Sequence, residues 1–424
     1  MGAKEKKSLQ GKTRQKKERQ KGRFSKKDET MAEASWDEIE KRLRERRIRK
    51  LRRTLVALCI CAAAVIAYVI VMKNTVYGSY TLKEEVDRTD TAATQYETYQ
   101  NGFLKYSSDG ASYVTAANDI IWNQSYELGS PMAAVCGNYC AIADSGGDTV
   151  YIFDEDGLTV NFSVSYPIAA LEISKNGEVA ILMDGGTVSY ISMYDKEGDI
   201  LAEGAIYAEN SGFPIDIALS EDGENLAAAI IDVSGGSAGT IINFYNFGSA
   251  GEKTEDYLVA SYTYEDTIIA EISYAGSNTM LAFADSGVSI FTGTSSPILN
   301  CSLEVEDEIL SIFYDDKYFG LVFTAEDTEE TGRTIKVYDF TCTAKVVIQT
   351  ELLYENIKFL DNHEVCLYSD TECSIYTLTG LEKFSYTFEE TLVGVYRERG
   401  LRNYIIMKEN TTERVRLKIG TEEE

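Results

Sequence analysis

An apolar run, a tight polar turn and a second apolar run recur along this sequence at nearly constant intervals, which restricts the fold more than any other feature. Clear copies are 168–182 (IAALEISKNGEVAIL), 215–230 (IDIALSEDGENLAAAI), 268–284 and 309–324. Counting further copies, the units open at Pro131, Ile168, Ile215, Ile268, Ile309, Asn356 and Leu392, a mean step of 43.5 residues. The apolar positions alternate with period two, which is the signature of strands rather than helices. About 40 to 45 residues is the span of one four-stranded propeller blade. An all-β fold, a β-propeller, follows for residues 101–419.

Two recurring details fit such a blade. Pro131, Pro167 and Pro214 fall where first strands begin, and a missing N–H there costs no ladder bond. Asp144, Asp184, Asp232 and Asp285 end the second strands before Gly-bearing turns. Six complete units run from 131 to about 387, but 392–419 supplies only three strands. The segment 103–128 has strands to donate, and pairing 120–126 with 392–419 would close the ring and remove exposed edges. Seven blades result. Eight is the alternative, because the two ends together offer more strands than one blade requires.

Before the repeats lies 54–72, TLVALCICAAAVIAYVIVM, without a single charge. As a helix it would extend about 28 Å, enough to cross a bilayer. Residues 1–53 carry 21 Lys/Arg against 9 Asp/Glu, whereas 54–424 carry 20 against 59. The basic cluster before the span predicts a cytoplasmic N-terminus and an extracytoplasmic domain, with the span kept as a signal-anchor in membrane lipid. The tail reads as disordered over 1–34 and helical over 35–53, from the Ser35/Glu38 capping box and acid-before-base pairs such as Glu38–Arg42. Residues 73–100 read as a membrane-proximal stalk and 420–424 as an acidic tail.

The stretch Asn118-Asp119-Ile120-Ile121-Trp122-Asn123-Gln124-Ser125-Tyr126 resembles the outer strand of a quinoprotein-type (PQQ-like) or WD-repeat-like blade. The layout as a whole is similar to an uncharacterised family of bacterial single-pass, membrane-anchored propellers. That resemblance implies the fold and not dehydrogenase activity. The adjacent cysteine pair and the regular tryptophan docking motifs of quinone-dependent dehydrogenases are missing, and Trp122 is the one Trp after the span.

No catalytic set emerges. The single histidine, His363, sits in the turn Asp361-Asn362-His363 and reads as a solvent-exposed turn residue; a metal site would want a second His or Cys beside it. No cofactor fingerprint or P-loop is present, and the scarcity of Lys/Arg after the span disfavours nucleic acid outside the cell. Of the six later cysteines, Cys136/Cys140 and Cys366/Cys373 are hairpin neighbours, and free buried thiols are the favoured reading, with disulfides the alternative. The function expected is therefore a non-enzymatic binding or scaffolding module. It would present Asp144, Asp184, Asp232 and Asp285 on one face to a protein or envelope-polymer partner. Turn bonding is the plain reading of the same aspartates. The alternatives are a carboxylate-only enzyme acting on an envelope polymer and a sensor with a recruited cytoplasmic partner.

Overall fold

The computed structural model describes residues 41, 44, 48 and 50–420, except 73, 92, 234, 235 and 326–331 and the side chain of Asn210. The readings of the 1–34 tail, of the helix start at Ser35 and of the acidic end beyond 420 lie outside these residues. Two units are present, one ending at Met72 and one spanning Lys73–Glu424. The first contains a helix, Lys50–Met72, long and apolar enough to cross a membrane; length and composition suit an anchor and a signal sequence alike.

The second unit is built from eight antiparallel four-stranded sheets, so the propeller has eight blades, the alternative to the seven favoured on sequence. Blade 1 spans 95–125, blade 2 131–163, blade 3 168–207, blade 4 213–264, blade 5 269–304, blade 6 311–350 and blade 7 356–387. Blade 8 takes three strands from 392–418 and its outermost from Ser79–Asp87. The chain ends do meet in one blade, but the donor is not 120–126, which instead forms the outer strand of a complete first blade. Residues 73–100 are no stalk: they hold the closing strand and the first strand of blade 1, Gln95–Tyr99. Their charges mislead because an outermost strand buries one face at most; Ser79–Asp87 is largely exposed.

Burial explains the repeat. Second strands are sandwiched between neighbouring blades, so they read as unbroken apolar runs: VAILM at 179–183 and LAAAI at 226–230 are buried throughout. Eight apolar clusters fill the eight interfaces between adjacent blades. Trp122 of blade 1, stacked on Phe153 of blade 2 at 4.7 Å, belongs to one of them. Burying each large apolar side chain is worth about 1.5–3 kcal/mol. The interface that closes the ring, between blades 8 and 1, has the smallest apolar cluster: Phe103, Val114, Ile405 and Met407.

Polar bonds supplement it there. Arg88, just past the closing strand, bonds the Lys408 and Asn410 carbonyls of blade 8. Its guanidinium also meets Asp90 at 3.2 Å, and Asp90 accepts from Lys105 and Tyr96 of blade 1 at 2.8 Å each. Burial would raise the Asp90 carboxyl, but Lys105, Tyr96 and Arg88 together hold it below the usual aspartate range. Elsewhere, a disulfide joins Cys301 of blade 5 to Cys342 of blade 6. This corrects the expectation of free thiols for that pair, which sequence could not match because the partners lie in different blades. Cys136, Cys140, Cys366 and Cys373 are free.

Asp90→Ala would leave Arg88 and Lys105 buried without their shared carboxylate. We expect a loss of about 3 kcal/mol in chemical denaturation at pH 7, shrinking as pH falls and the wild-type carboxyl is protonated. A variant as stable as wild type would show that the apolar cluster closes the ring unaided.

Candidate functional site: carboxylates on the inner strands

First strands of blades 1 to 5 touch in succession, as do those of blades 6 and 7, which marks them as the inner layer of the ring. In blades 3, 4 and 5 each is interrupted by a β-bulge against its second strand, at Ala169, Ile215 and Ala270. A bulge re-aims the side chains beside it. Asp216 and Glu271 directly follow theirs, and Glu172 lies three residues beyond its own. Three neighbouring blades thus place three carboxylates in the inner layer.

Their surroundings differ. Asp216 accepts the N–H of Ile217 at 2.9 Å and, reaching to blade 5, that of Ile272 at 2.8 Å. Glu271 accepts the Tyr314 hydroxyl of blade 6 at 3.0 Å. The Glu172 carboxylate has no hydrogen-bond partner among the described residues. Burial, reinforced by the Asp216 charge, pushes Glu172 up to about 8. Burial also lifts Asp216 to about 6, against its two backbone donors and with a push from Glu271. The Cys136 thiol of blade 2 rises to about 11 through burial, then through the charges of Glu221 and Glu172.

Across the ring the inner layer changes sign. Burial lowers the Lys358 ammonium of blade 7, against the charges around it, Glu97 of blade 1 among them; burial raises Glu97. Lys358 lies 3.7 Å over the Tyr396 ring of blade 8.

Asp144, Asp184 and Asp232 end the second strands of blades 2 to 4, and Asp285 opens the turn just past that of blade 5. Asp144 accepts the Ser130 N–H and Asp184 the Gly186 N–H, each at 2.7 Å, so these two do bond turns. Asp232 lines a small cleft with Thr263, Glu265 and Asp266, and Asp285 is exposed. Because adjacent strands are antiparallel, the inner carboxylates lie only two to four residues along the ladder from these aspartates. Asp216 pairs with Ala229, and Glu271 with Phe283. The inner trio was not among the residues expected from sequence, though an acid within an otherwise apolar first strand (LEI, IDI, AEI) is its visible signal.

His363 does sit in a turn, with φ 63°, but its ring is not free in solvent. Nδ1 meets Asp315 of blade 6 at 2.6 Å, and Nε2 meets Lys317 at 3.1 Å. Asp315, Asp316 and His363 bring ligand-type atoms within 4.8 Å of one another. The Lys317 ammonium, 3.4 Å from Asp316, already supplies positive charge there.

Residues 73–417 match a family of unknown function, DUF5711, and the chain belongs to that family. No curated protein matches it. Among solved structures it is similar to the C-terminal WD40 domain of Sif2, with a TM-score of 0.54 and 11% identity over 81% of this chain and 99% of that one. BamB from Moraxella catarrhalis also matches, at a TM-score of 0.49 and 11% identity, over 80% of this chain and all of that one. At such identity the likeness to the Sif2 domain speaks for the propeller fold alone.

Glu172 binds a proton more tightly folded than unfolded, so its contribution to stability is full in acid and lost as pH rises to about 8. Glu172→Gln should therefore exceed wild type in stability at pH 8.5, by about 2 kcal/mol, and the gap should close towards pH 5. Parallel pH–stability curves for the two proteins would show that the carboxyl is not strained.

Proposed function

We propose that this member of the DUF5711 family is a non-enzymatic binding module, held at the outer face of a membrane by its apolar helix, whose acidic face captures a cationic protein segment. The observation that carries the reading is the stacking of two acidic tiers in blades 2 to 5: the aspartates at the second-strand ends, and Glu172, Asp216 and Glu271 beneath them. A lysine or arginine reaching the lower tier would restore full ionisation to Glu172 and Asp216, which burial holds partly protonated. The upper tier would speed encounter and make capture fall with salt.

The disulfide between Cys301 and Cys342 supports an oxidising, extracytoplasmic setting for the domain. The basic cluster preceding the helix supports an N-terminus on the cytoplasmic side. A reporter fused after Glu424 should be active only in an extracytoplasmic assay; activity in the cytoplasm would overturn the topology.

A second reading has one specific observation behind it. Neighbouring carboxyls at about 8 and about 6 are poised as a general acid and a base would be. A carboxylate-only hydrolase of an envelope polymer would use Glu172 as the acid and Asp216 as its partner.

A fluorescent pentalysine peptide, titrated at low salt, separates the two. We expect binding by wild type and a drop of about tenfold or more for the triple variant Glu172→Gln, Asp216→Asn, Glu271→Gln. Asn at Asp144, Asp184, Asp232 and Asp285 should reduce the salt dependence instead. Peptide binding unchanged in both variants would sink the proposal, and polymer cleavage abolished by Glu172→Gln would favour the hydrolase.

A further inference from the structure

Charge is polarised around the ring. Blades 2 to 5 (131–304) hold 26 Asp/Glu against 3 Lys and no Arg. Residues 391–418, the three strands of blade 8 with their turns, hold 3 Asp/Glu against 7 Lys/Arg. In a ring of eight, blade 4 stands opposite blade 8, so the acidic and basic poles face away from each other. Three of the blade 8 bases are engaged internally: Lys408 with Glu413, Arg397 with the Tyr404 ring, and Arg414 with Glu84 and Glu398. The other four, Arg399, Arg402, Arg416 and Lys418, make no ion pair among the described residues.

These four lie at one end of the blade. Arg399 and Arg402 belong to the turn from its first to its second strand, Arg416 pairs with Asn403, and Lys418 pairs with Ser79, the first residue of the closing strand. Two exposed aliphatic residues adjoin them in the chain, Ile419 after Lys418 and Val76 shortly before Ser79. Acids on the same blade are already matched, Glu84 by Arg414 and Glu398 by Arg414 and Lys83. The chain also enters the propeller at this end. Tyr77, bonded to the Lys383 carbonyl of blade 7, comes five residues after Met72, where the span-length helix stops. Five extended residues reach about 18 Å at most. A helix seated in a bilayer therefore holds the basic end of blade 8 close to the membrane surface.

We propose that this end of blade 8 lies on the headgroups of anionic phospholipids, with Arg399, Arg402, Arg416 and Lys418 as its contacts. The inference rests on the anchor reading above and adds to it the side on which the propeller meets the bilayer. Bases held near an anionic surface are drawn to it over about a Debye length, and exposed aliphatic side chains such as Val76 and Ile419 gain by burial at the headgroup boundary. The acidic pole is repelled by the same surface. Attraction at blade 8 and repulsion at blades 2 to 5 act in the same sense, and together they turn the acidic tiers away from the membrane, towards a soluble partner.

Hydrogen exchange on the full chain, reconstituted into vesicles of phosphatidylcholine alone or mixed with phosphatidylglycerol, tests this. Amides of 399–402 and 418–420 should exchange more slowly on the mixed vesicles, those of blade 4 equally on both, and high salt should erase the difference. The readout is local, so the basic N-terminal tail cannot produce it. Gln at Arg399, Arg402, Arg416 and Lys418 should abolish the protection, each lost base weakening the contact about fivefold. None of the four is buried, so the variant should fold, and unchanged exchange in blade 4 would show that it does. Glu422, Glu423 and Glu424 follow the patch closely in sequence and oppose such contact, so a chain ending at Gly420 should be protected more strongly. Failure of the chain to float with phosphatidylcholine vesicles would sink the anchor reading and this inference with it. A chain that floats yet exchanges alike on both vesicles, or a quadruple variant protected as well as wild type, would overturn the inference alone.

Discussion

Antiparallel pairing of Ser79–Asp87 with Thr411–Lys418 joins residues more than 320 positions apart, and the remaining interfaces depend on it. Without that strand, blade 8 would be a three-stranded sheet with an open ladder edge. Each blade packs both faces against neighbours, so an open ring would bare an apolar surface at two blades rather than one. Tyr77, wholly buried just before the closing strand, bonds the Lys383 carbonyl of blade 7 and packs on Phe384, so the clasp grips two blades. A third contact comes from inside the same region: Lys383 is buried, reaching Glu364 at 2.6 Å and the Tyr404 hydroxyl of blade 8 at 2.9 Å.

Closure by distant chain ends also explains why polar chemistry concentrates at blades 7, 8 and 1. Elsewhere the apolar clusters are larger, and single polar links such as the Cys301–Cys342 disulfide and the Tyr314–Glu271 bond supplement them. At the 8–1 seam the cluster is small, and Arg88, Asp90 and Lys105 supply directional bonds instead. Ion pairs of this kind add little net stability over apolar packing, yet they penalise any other register heavily, because a slipped seam strands charges in the interior. That suits a junction whose partners are distant along the chain and must find one alignment.

Much of this was legible in the sequence. The second strands announced themselves as apolar runs, because burial on both faces removes the alternation that a half-exposed strand shows. Prolines at 131, 167 and 214 marked first strands correctly. The closing strand was hidden, because an outermost strand such as SYTLKEEVD buries too little to leave a pattern. The blade count slipped by one for that reason alone: with 79–87 overlooked, 103–128 was spent on the last blade instead of forming its own. The disulfide was invisible for a different cause, since Cys301 and Cys342 are brought together by the packing of two blades rather than by a hairpin.

Irregularity within the repeat, rather than the repeat itself, produces the candidate sites. A perfect blade would bury its first strand as cleanly as its second. Bulges at Ala169, Ile215 and Ala270 interrupt that order in three adjacent blades, and acids stand beside them. Bulges recur in the outer strands too, and at one of them Lys383 turns inward to Glu364. The left-handed Gln100 turn follows the same logic in blade 1. Each is a local departure that an isolated hairpin would relax away. Packing against two neighbours prevents that relaxation, because releasing one blade's backbone would open apolar surface on both sides. The closed ring therefore does more than stabilise: it holds the Glu172 and Asp216 carboxyls above their ordinary range, where a cation would relieve them.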